Sequence, residues 1–389
     1  MRDATRITDY FNGSRTLFII PLYQRKYAWQ QKHCSRLFED LKKIHRENIY
    51  SHFFGSIVST RANEYEDDLL IIDGQQRITT LSLLILAGIN AVENGDMQAG
   101  DEDINKIKED YLYAIRRKLP RKIKLCPIED DQKAYDALFT NNENEFINSG
   151  ITSNYQLFYN LIKVSDLTFE DLIAAIEKLT IIDICLDSRD NPQLIFESLN
   201  SCGKDLEEAD KVRNYLLMSL SKDEQERYYH QYWSKIEKLT DGEPTMFIRD
   251  YLTIKNGTIS KVDELYFDFK SFDENEHLNR ETLLSDMLKF ANYYRQICKG
   301  ETGNKKLDRK LKQIASIGTT VHLPFLLSFF DYAKDNNFDE EEIFKVLDIV
   351  ENYWARRIIC GYPANAMQKL FSMLHTDIMR IYKRHEEKG

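Results

Sequence analysis

Residues Ile71–Leu81 read IIDGQQRITTL, and the fold turns on how this stretch bends. Leu69–Asp73 (LLIID) is an apolar run of strand length that ends in a carboxylate, and Gly74 breaks it. From Thr79 to Val92, TTLSLLILAGINAV spaces its apolar residues as a helix does and leaves almost no polar face. That pattern predicts a helix buried on all sides. A buried strand turning through glycine into a buried helix is the repeating unit of an α/β layer fold. The first N–H groups of such a helix have no acceptor within it and lie at the positive end of its dipole, so the bend is a natural anion site. Arg77 adds a planar, permanent cation suited to phosphate oxygens, Thr79 and Thr80 add hydroxyls, and Gln75 and Gln76 add amide donors. Asp73, at the strand end, is placed to hold a magnesium ion or orient a water. The plainer alternative makes Asp73 a helix cap and Arg77 its ion partner. The stretch is no Walker loop, since it lacks that loop's lysine, and the residues alone leave both readings open.

Upstream, Leu17–Ile20 (LFII) predicts a short strand running into Pro21. His52–Thr60 (HFFGSIVST) predicts another, with Gly55 marking a bulge or a close backbone approach. Ile20–Trp29 (IPLYQRKYAW) packs Tyr23, Gln24, Arg25, Lys26, Tyr27 and Trp29 into ten residues. Aromatics beside cations suit stacking on a base and contacting phosphate, while Tyr27 and Trp29 serve equally as core anchors with polar ends. Downstream, the reading gives a charged helix over Asp103–Arg117, a strand at Ile123–Leu125, a helix from about Glu129 and a buried strand at Thr180–Asp187. A helix from near Pro192, an SCGKDL turn and a helix over Glu207–Leu220 follow. Within Ile195–Leu217, Asn200 sits where a helix should end, Gly203 suits a left-handed terminus, and Asp210 and Arg213 stand at i, i+3. That spacing fits a simple ion pair or a polar site. Beyond Ser221, Trp233, Phe247, Tyr251, Leu284, Met287 and Phe290 recur at helical intervals, and so do apolar residues from Leu323 to Tyr382. Residues 1–220 therefore read as an α/β (α+β) domain and 221–389 as an all-α domain.

Composition narrows the classes. Seven prolines and 15 glycines in 389 residues leave little room for long flexible linkers, and 42% hydrophobic with 30% charged residues excludes wholesale disorder. No apolar run is long enough to span a membrane, and the first residues lack a signal peptide's apolar core. Six cysteines without CxxC pairing indicate neither a zinc knuckle nor a disulfide framework, and suggest reduced thiols in the cytoplasm. A net charge of −10 argues against a duplex-binding surface, although charge distribution matters more than its sum. Basic residues cluster at Arg116–Lys124, at Lys305–Lys312, and at Arg380, Lys383 and Arg384. Solvated helix faces or phosphate contacts both fit them.

Four motifs in this order, Ile20–Trp29, Gly55–Ile57, Asp73–Leu81 and Phe196–Asp210, resemble the N-terminal domain of the GmrSD-type restriction endonucleases. That family shows IPxYQRxYxW, GxI, DGQQRxTTL and FxxLNxxGxxLxxAD motifs. The resemblance covers roughly the first 220 residues, and Ala355–Phe371 is similar to the family's helical region. It implies a ParB/sulfiredoxin-like fold whose DGQQR loop binds and hydrolyses a nucleoside triphosphate, with magnesium. It also implies an HNH nuclease domain or subunit as partner, cutting modified DNA. By carry-over, Asp73, Gly74, Gln75, Gln76, Arg77 and Thr79 line the nucleotide site, with Tyr23, Gln24 and Arg25 beside it or sensing the DNA. The binding set as read here also includes Thr80, Asn200, Gly203 and Asp210, and Asp73, Gln76 and Arg77 are its catalytic members. After Phe371 only His375 and His385 remain, on one basic helix, so the expectation is that no HNH unit lies in this chain. A non-catalytic ParB-like DNA-binding module is the rival reading. Independent nuclease chemistry finds no second carboxylate at a convincing spacing from Asp73. A homo-oligomer stays open.

Overall fold

A computed structural model of the chain describes residues 4–11, 15–62, 67–116, 120–187, 190, 195 and 206–386. It divides into two units, Met1–Gly203 and Lys204–Gly389. The division falls earlier than the reading places it. Helix Glu208–Leu217, assigned to the first domain from sequence, packs instead with helices Leu265–Glu276 and Pro244–Asn256.

The first unit runs β1 (Thr5–Arg6), α1 (Ile7–Phe11), β2 (Phe18–Ile19), α2 (Gln31–Arg46), β3 (His52–Arg61), β4 (Leu69–Asp73) and α3 (Gln75–Glu93). It continues through α4 (Ile104–Ile107), β5 (Tyr113–Ala114), β6 (Lys122–Ile123), β7 (Leu125–Cys126), α5 (Glu129–Leu138), α6 (Gly150–Lys163), α7 (Phe169–Ile176) and β8 (Leu179–Leu186). Six strands form one mixed sheet in the order β1-β8-β3-β4-β2-β7, and β5 pairs with β6 apart from it. The longest ladder joins β3 to β8 in parallel, from His52 opposite Leu179 to Thr60 opposite Leu186. Its register shifts between Phe53 and Gly55, the bulge that the glycine foretold. Antiparallel β4 lies on the other side of β3.

Helix α3 is the centre of this unit. From Gln75 to Ala91 every residue is buried except Arg77, as the absence of a polar face requires. It packs chiefly against α6, with Ile78, Leu81, Leu84 and Ile85 in the same core as Tyr155 and Phe158. Amphipathic α2 covers the core with Cys34, Leu37, Phe38, Leu41 and Ile44, at i, i+3, i+4 spacing. The helix expected over Asp103–Arg117 is four residues long. Asp103 caps it through the amides of Asn105 and Lys106, it widens into a π turn at Lys108–Leu112, and the chain then extends to pair Tyr113 with Ile123. Tyr111 and Leu112, at the end of that turn, are both buried. The helix expected near Pro192 and the SCGKDL turn fall outside the described residues, apart from Ile195 and Leu206.

Of the described cations in the basic run at Arg116–Lys124, Lys122 is exposed and the other three have partners within the fold. Arg116 pairs with the buried carboxylate of Asp68, and Arg121 lies over the Tyr113 ring. Lys124 is buried, and its Nζ donates to the carbonyls of Phe11 at 2.7 Å and Asp110 at 2.5 Å. Burial pushes its pKa down from 10.5 to about 8. The unfolded chain therefore holds this proton up to higher pH than the fold does, and stability from this group rises as pH climbs from about 8 towards 10.5. Over that window, wild type should gain on the order of 2 kcal/mol relative to Lys124→Met, read by urea unfolding of both proteins at each pH. A constant difference would place Lys124 in solvent.

Helices are the only regular structure among the described residues of the second unit, with long ones at Pro244–Asn256, Arg280–Lys299, Lys305–Ala315, Leu323–Asp335, Glu340–Ile359 and Gln368–Glu386. Trp233, Phe247, Tyr251, Leu284, Met287 and Phe290, spaced helically in sequence, are its core. Two cations of Lys305–Ala315 are laced to the neighbouring helix, Lys306 to Glu341 and Lys310 to Asp348 and Glu351. No helix among the described residues is long and apolar enough to cross a membrane, and the five described cysteines are free thiols.

Candidate functional site

Strand β4 delivers Asp73 to the sheet edge of the bend, and Gly74 takes φ = 94° to start α3 at the next residue. Only glycine fits there twice over. The left-handed backbone disfavours a side chain, and a Cβ would come within 3.0 Å of the Ser56 carbonyl oxygen and the Ile57 side chain. The amides of Arg77 and Ile78 turn back to the Gly74 carbonyl at 3.0 and 3.1 Å. The amides of Gln75 and Gln76 find no acceptor among the described residues. Two unpaired N–H groups at the buried start of a 19-residue helix form the positive pole of this site.

Arg77 reaches back across β3. Its Nη1 donates to the Ser56 carbonyl at 2.8 Å and lies 3.8 Å from the Asp73 carboxylate. The two side chains keep 31% and 29% of their surface in solvent, so they form a loose pair at the surface rather than a locked interior bridge. Gly55 makes that position possible. It has φ = 129°, and a Cβ on it would lie 2.6 Å from the Arg77 Nε. The sequence pointed to a close approach at Gly55 without saying what approaches; the visitor is the guanidinium.

The glutamines do different work from that expected of ligand donors. The Gln76 Oε1 accepts from the amides of Ala28 at 2.8 Å and Trp29 at 3.1 Å, and its Nε2 donates to the Lys26 carbonyl at 3.3 Å. The Gln75 Nε2 donates to the Arg25 carbonyl at 3.2 Å, and the Gln24 Nε2 to the Ile72 carbonyl at 2.7 Å. All three side chains are buried. They hold the Tyr23–Trp29 segment against the β4–α3 bend, satisfying backbone groups that a buried loop would otherwise leave unpaired. Thr80 is fully buried and its hydroxyl meets the Tyr27 hydroxyl at 2.7 Å. Thr79 is buried as well. Burial raises the hydroxyl pKa of both Tyr23 and Tyr27 well above the ordinary tyrosine value.

Two supports went unseen in the sequence. The buried Asn154 of α6 donates to the Tyr27 hydroxyl at 3.2 Å and the Trp29 carbonyl at 2.7 Å, and the Asp131 carboxylate accepts from the Tyr27 amide at 2.6 Å. An asparagine on the apolar stripe of an amphipathic helix was the available signal for the first.

The bend thus gathers Asp73, Gly74, Gln75, Gln76, Arg77, Gln24 and Arg25, with Thr80 beneath. Asp210 stands in the second unit, where its carboxylate accepts from Arg213 at 2.6 Å; Arg213 also binds Glu237 at 2.6 Å. Asn200 and Gly203 lie outside the described residues. Among the described residues no group of three or more His, Cys, Asp or Glu side chains gathers to hold a metal.

No curated protein matches this sequence. The profile of the GmrSD restriction endonuclease N-terminal domain does match, over residues 7–217, from the start of α1 to the end of helix Glu208–Leu217. With more than half of its 389 residues in that match, and the glycine-hinged bend at its centre, the chain belongs to the GmrSD restriction endonuclease family.

Proposed function

We propose that this chain is a nucleoside-triphosphate-binding and hydrolysing regulatory module of a modification-dependent DNA restriction system, acting in the cytoplasm with an HNH nuclease domain or subunit. One observation carries the reading. On a helix otherwise buried from Gln75 to Ala91, the one side chain left partly in solvent is an arginine, set beside two amides without an acceptor among the described residues and a partly exposed aspartate. That is a poor use of a core helix unless a negatively charged ligand completes it.

In this reading polyphosphate oxygens take the Gln75 and Gln76 amides and the free edge of the Arg77 fork. Magnesium suits this carboxylate, because it is usually held by one or two carboxylates together with substrate phosphates. Asp73 would hold it, and the bound ion would offset charge on the phosphates. Gln76, engaged on all sides with residues 26–29, acts through the segment it positions. Tyr23 and Gln24 support that segment from beneath, and Arg25 borders the bend. The motif order supports a ParB/sulfiredoxin-like assignment for the first unit, and family membership supports DNA as the eventual target.

Fluorescent triphosphate binding with and without magnesium, phosphate release, and DNA affinity against salt test this together. The expected result is saturable triphosphate binding, magnesium-dependent phosphate release and a shallow salt slope for DNA. Absent nucleotide binding at millimolar concentration, with a steep negative log–log slope for DNA, would instead establish the non-catalytic DNA-binding module.

A further inference from the structure

Helix Glu340–Ile359 and helix Gln368–Glu386 border an apolar groove of about 550 Å³, floored by Phe325, Phe329 and Phe371. Ile349, Tyr353, Leu370, Ile378, Ile381 and Tyr382, at or beside its rim, are between 36% and 68% exposed. At roughly 150–250 Å² per large apolar side chain, the six leave on the order of 600 Å² of apolar surface in solvent. Each partner in a standard stable interface buries about 800 Å², of which about 65% is apolar in homodimers. The patch is of that size.

Its charge pattern names the occupant. Ile349 is at the midpoint of its helix, and the residues sharing its face run Glu342, Lys345, Val346, Ile349, Tyr353 and Arg356. The opposite side of that helix is already taken, by core packing through Leu347, Val350 and Trp354 and by the ion pairs of Asp348 and Glu351 with Lys310. An antiparallel pair of such helices with a twofold axis at Ile349 sets residue 349−k of one copy against 349+k of the other. Glu342 then meets Arg356, and Lys345 meets the Tyr353 ring, each twice. Glu342, Lys345, Tyr353 and Arg356 are exposed. This self-complementarity is what an isologous contact demands, and an unrelated partner gives no reason for it.

We infer that this face is a homodimer interface, in which helix Glu340–Ile359 packs antiparallel on its copy about Ile349. Neither the nucleotide site nor its chemistry enters the inference, which stands or falls apart from the proposed function.

Sedimentation velocity of the full chain at micromolar concentrations should give a reversible dimer. Ile349→Glu and Arg356→Glu should each raise its dissociation constant by about tenfold or more, Arg356→Glu by opposing Glu342 with a like charge. The double variant Glu342→Arg/Arg356→Glu should restore the dimer, although it also loses the capping contact that Glu342 makes with the Asp339 amide. Restoration cannot come from a variant that fails to fold, and circular dichroism verifies the single variants. A monomeric wild type, a dimer indifferent to Arg356→Glu, or a double variant no tighter than the single would each overturn the inference. A monomer whose groove is filled by a different protein would do so as well.

Discussion

An Arg77→Ala protein should unfold within about 1 kcal/mol of wild type yet bind nucleoside triphosphate on the order of 10- to 100-fold more weakly. The two halves of that result have separate causes. Arg77 makes one hydrogen bond to Ser56 and a 3.8 Å contact with Asp73 while keeping a third of its side chain in water, so the fold loses little. A charge-assisted bond to phosphate is worth about 1.5–3 kcal/mol, which is the stated loss in affinity. Gly55→Ala is the sharper version, since the arginine stays. The new Cβ, 2.6 Å from Nε on a backbone at φ = 129°, must push the guanidinium off β3. It should weaken triphosphate binding comparably, at a stability cost of about 1–3 kcal/mol from strain. Equal binding by wild type and both variants, measured by calorimetric titration, would remove Arg77 from the site.

The larger effect on stability belongs to a residue that touches no ligand. Gln76→Ala strips acceptors from the amides of Ala28 and Trp29 and a donor from the Lys26 carbonyl. Unpaired backbone groups cost about 1–3 kcal/mol each when buried, and the partial exposure of this segment moderates the sum to about 2–4 kcal/mol. The melting temperature should fall by roughly 4–10 °C, with amide exchange faster across residues 25–30. Triphosphate affinity should fall with it, because residues 25–29 border the bend. Gln76→Glu keeps an acceptor for the Ala28 and Trp29 amides but turns a buried carboxylate oxygen on the Lys26 carbonyl, so it should recover only part of the loss. An unchanged melting temperature in Gln76→Ala would show that the braces do not hold the segment.

What could be read from the sequence followed chain locality. The LLIID run, the glycine break and the polar-free Thr79–Val92 stretch each announce themselves within a few residues, and β4 and α3 lie where that reading puts them. Gly55 was equally plain, since an interior strand glycine implies a bulge or a visitor, and it has both. Amphipathic α2 was hidden because its five buried residues are diluted among Lys, Arg, Glu and Asp. The roles of the polar residues were illegible for a different reason. Gln76 meets residues 47 and 48 positions away, and Tyr27 meets Asn154 across 127. Local spacing shows a donor-rich motif in each case, but only the tertiary fold decides whether a donor faces a ligand or a loop. The Arg77 guanidinium stays partly in solvent and the backbone amides of Gln75 and Gln76 have no acceptor among the described residues, while the glutamine side chains and Thr80 face the protein.

A crystal structure with magnesium and a non-hydrolysable triphosphate analogue addresses the central claim most directly. The account predicts phosphate oxygens within hydrogen-bond distance of the Gln75 and Gln76 amides and of the Arg77 guanidinium, with the metal on Asp73. Triphosphate bound elsewhere, with those amides and that guanidinium untouched, would contradict it.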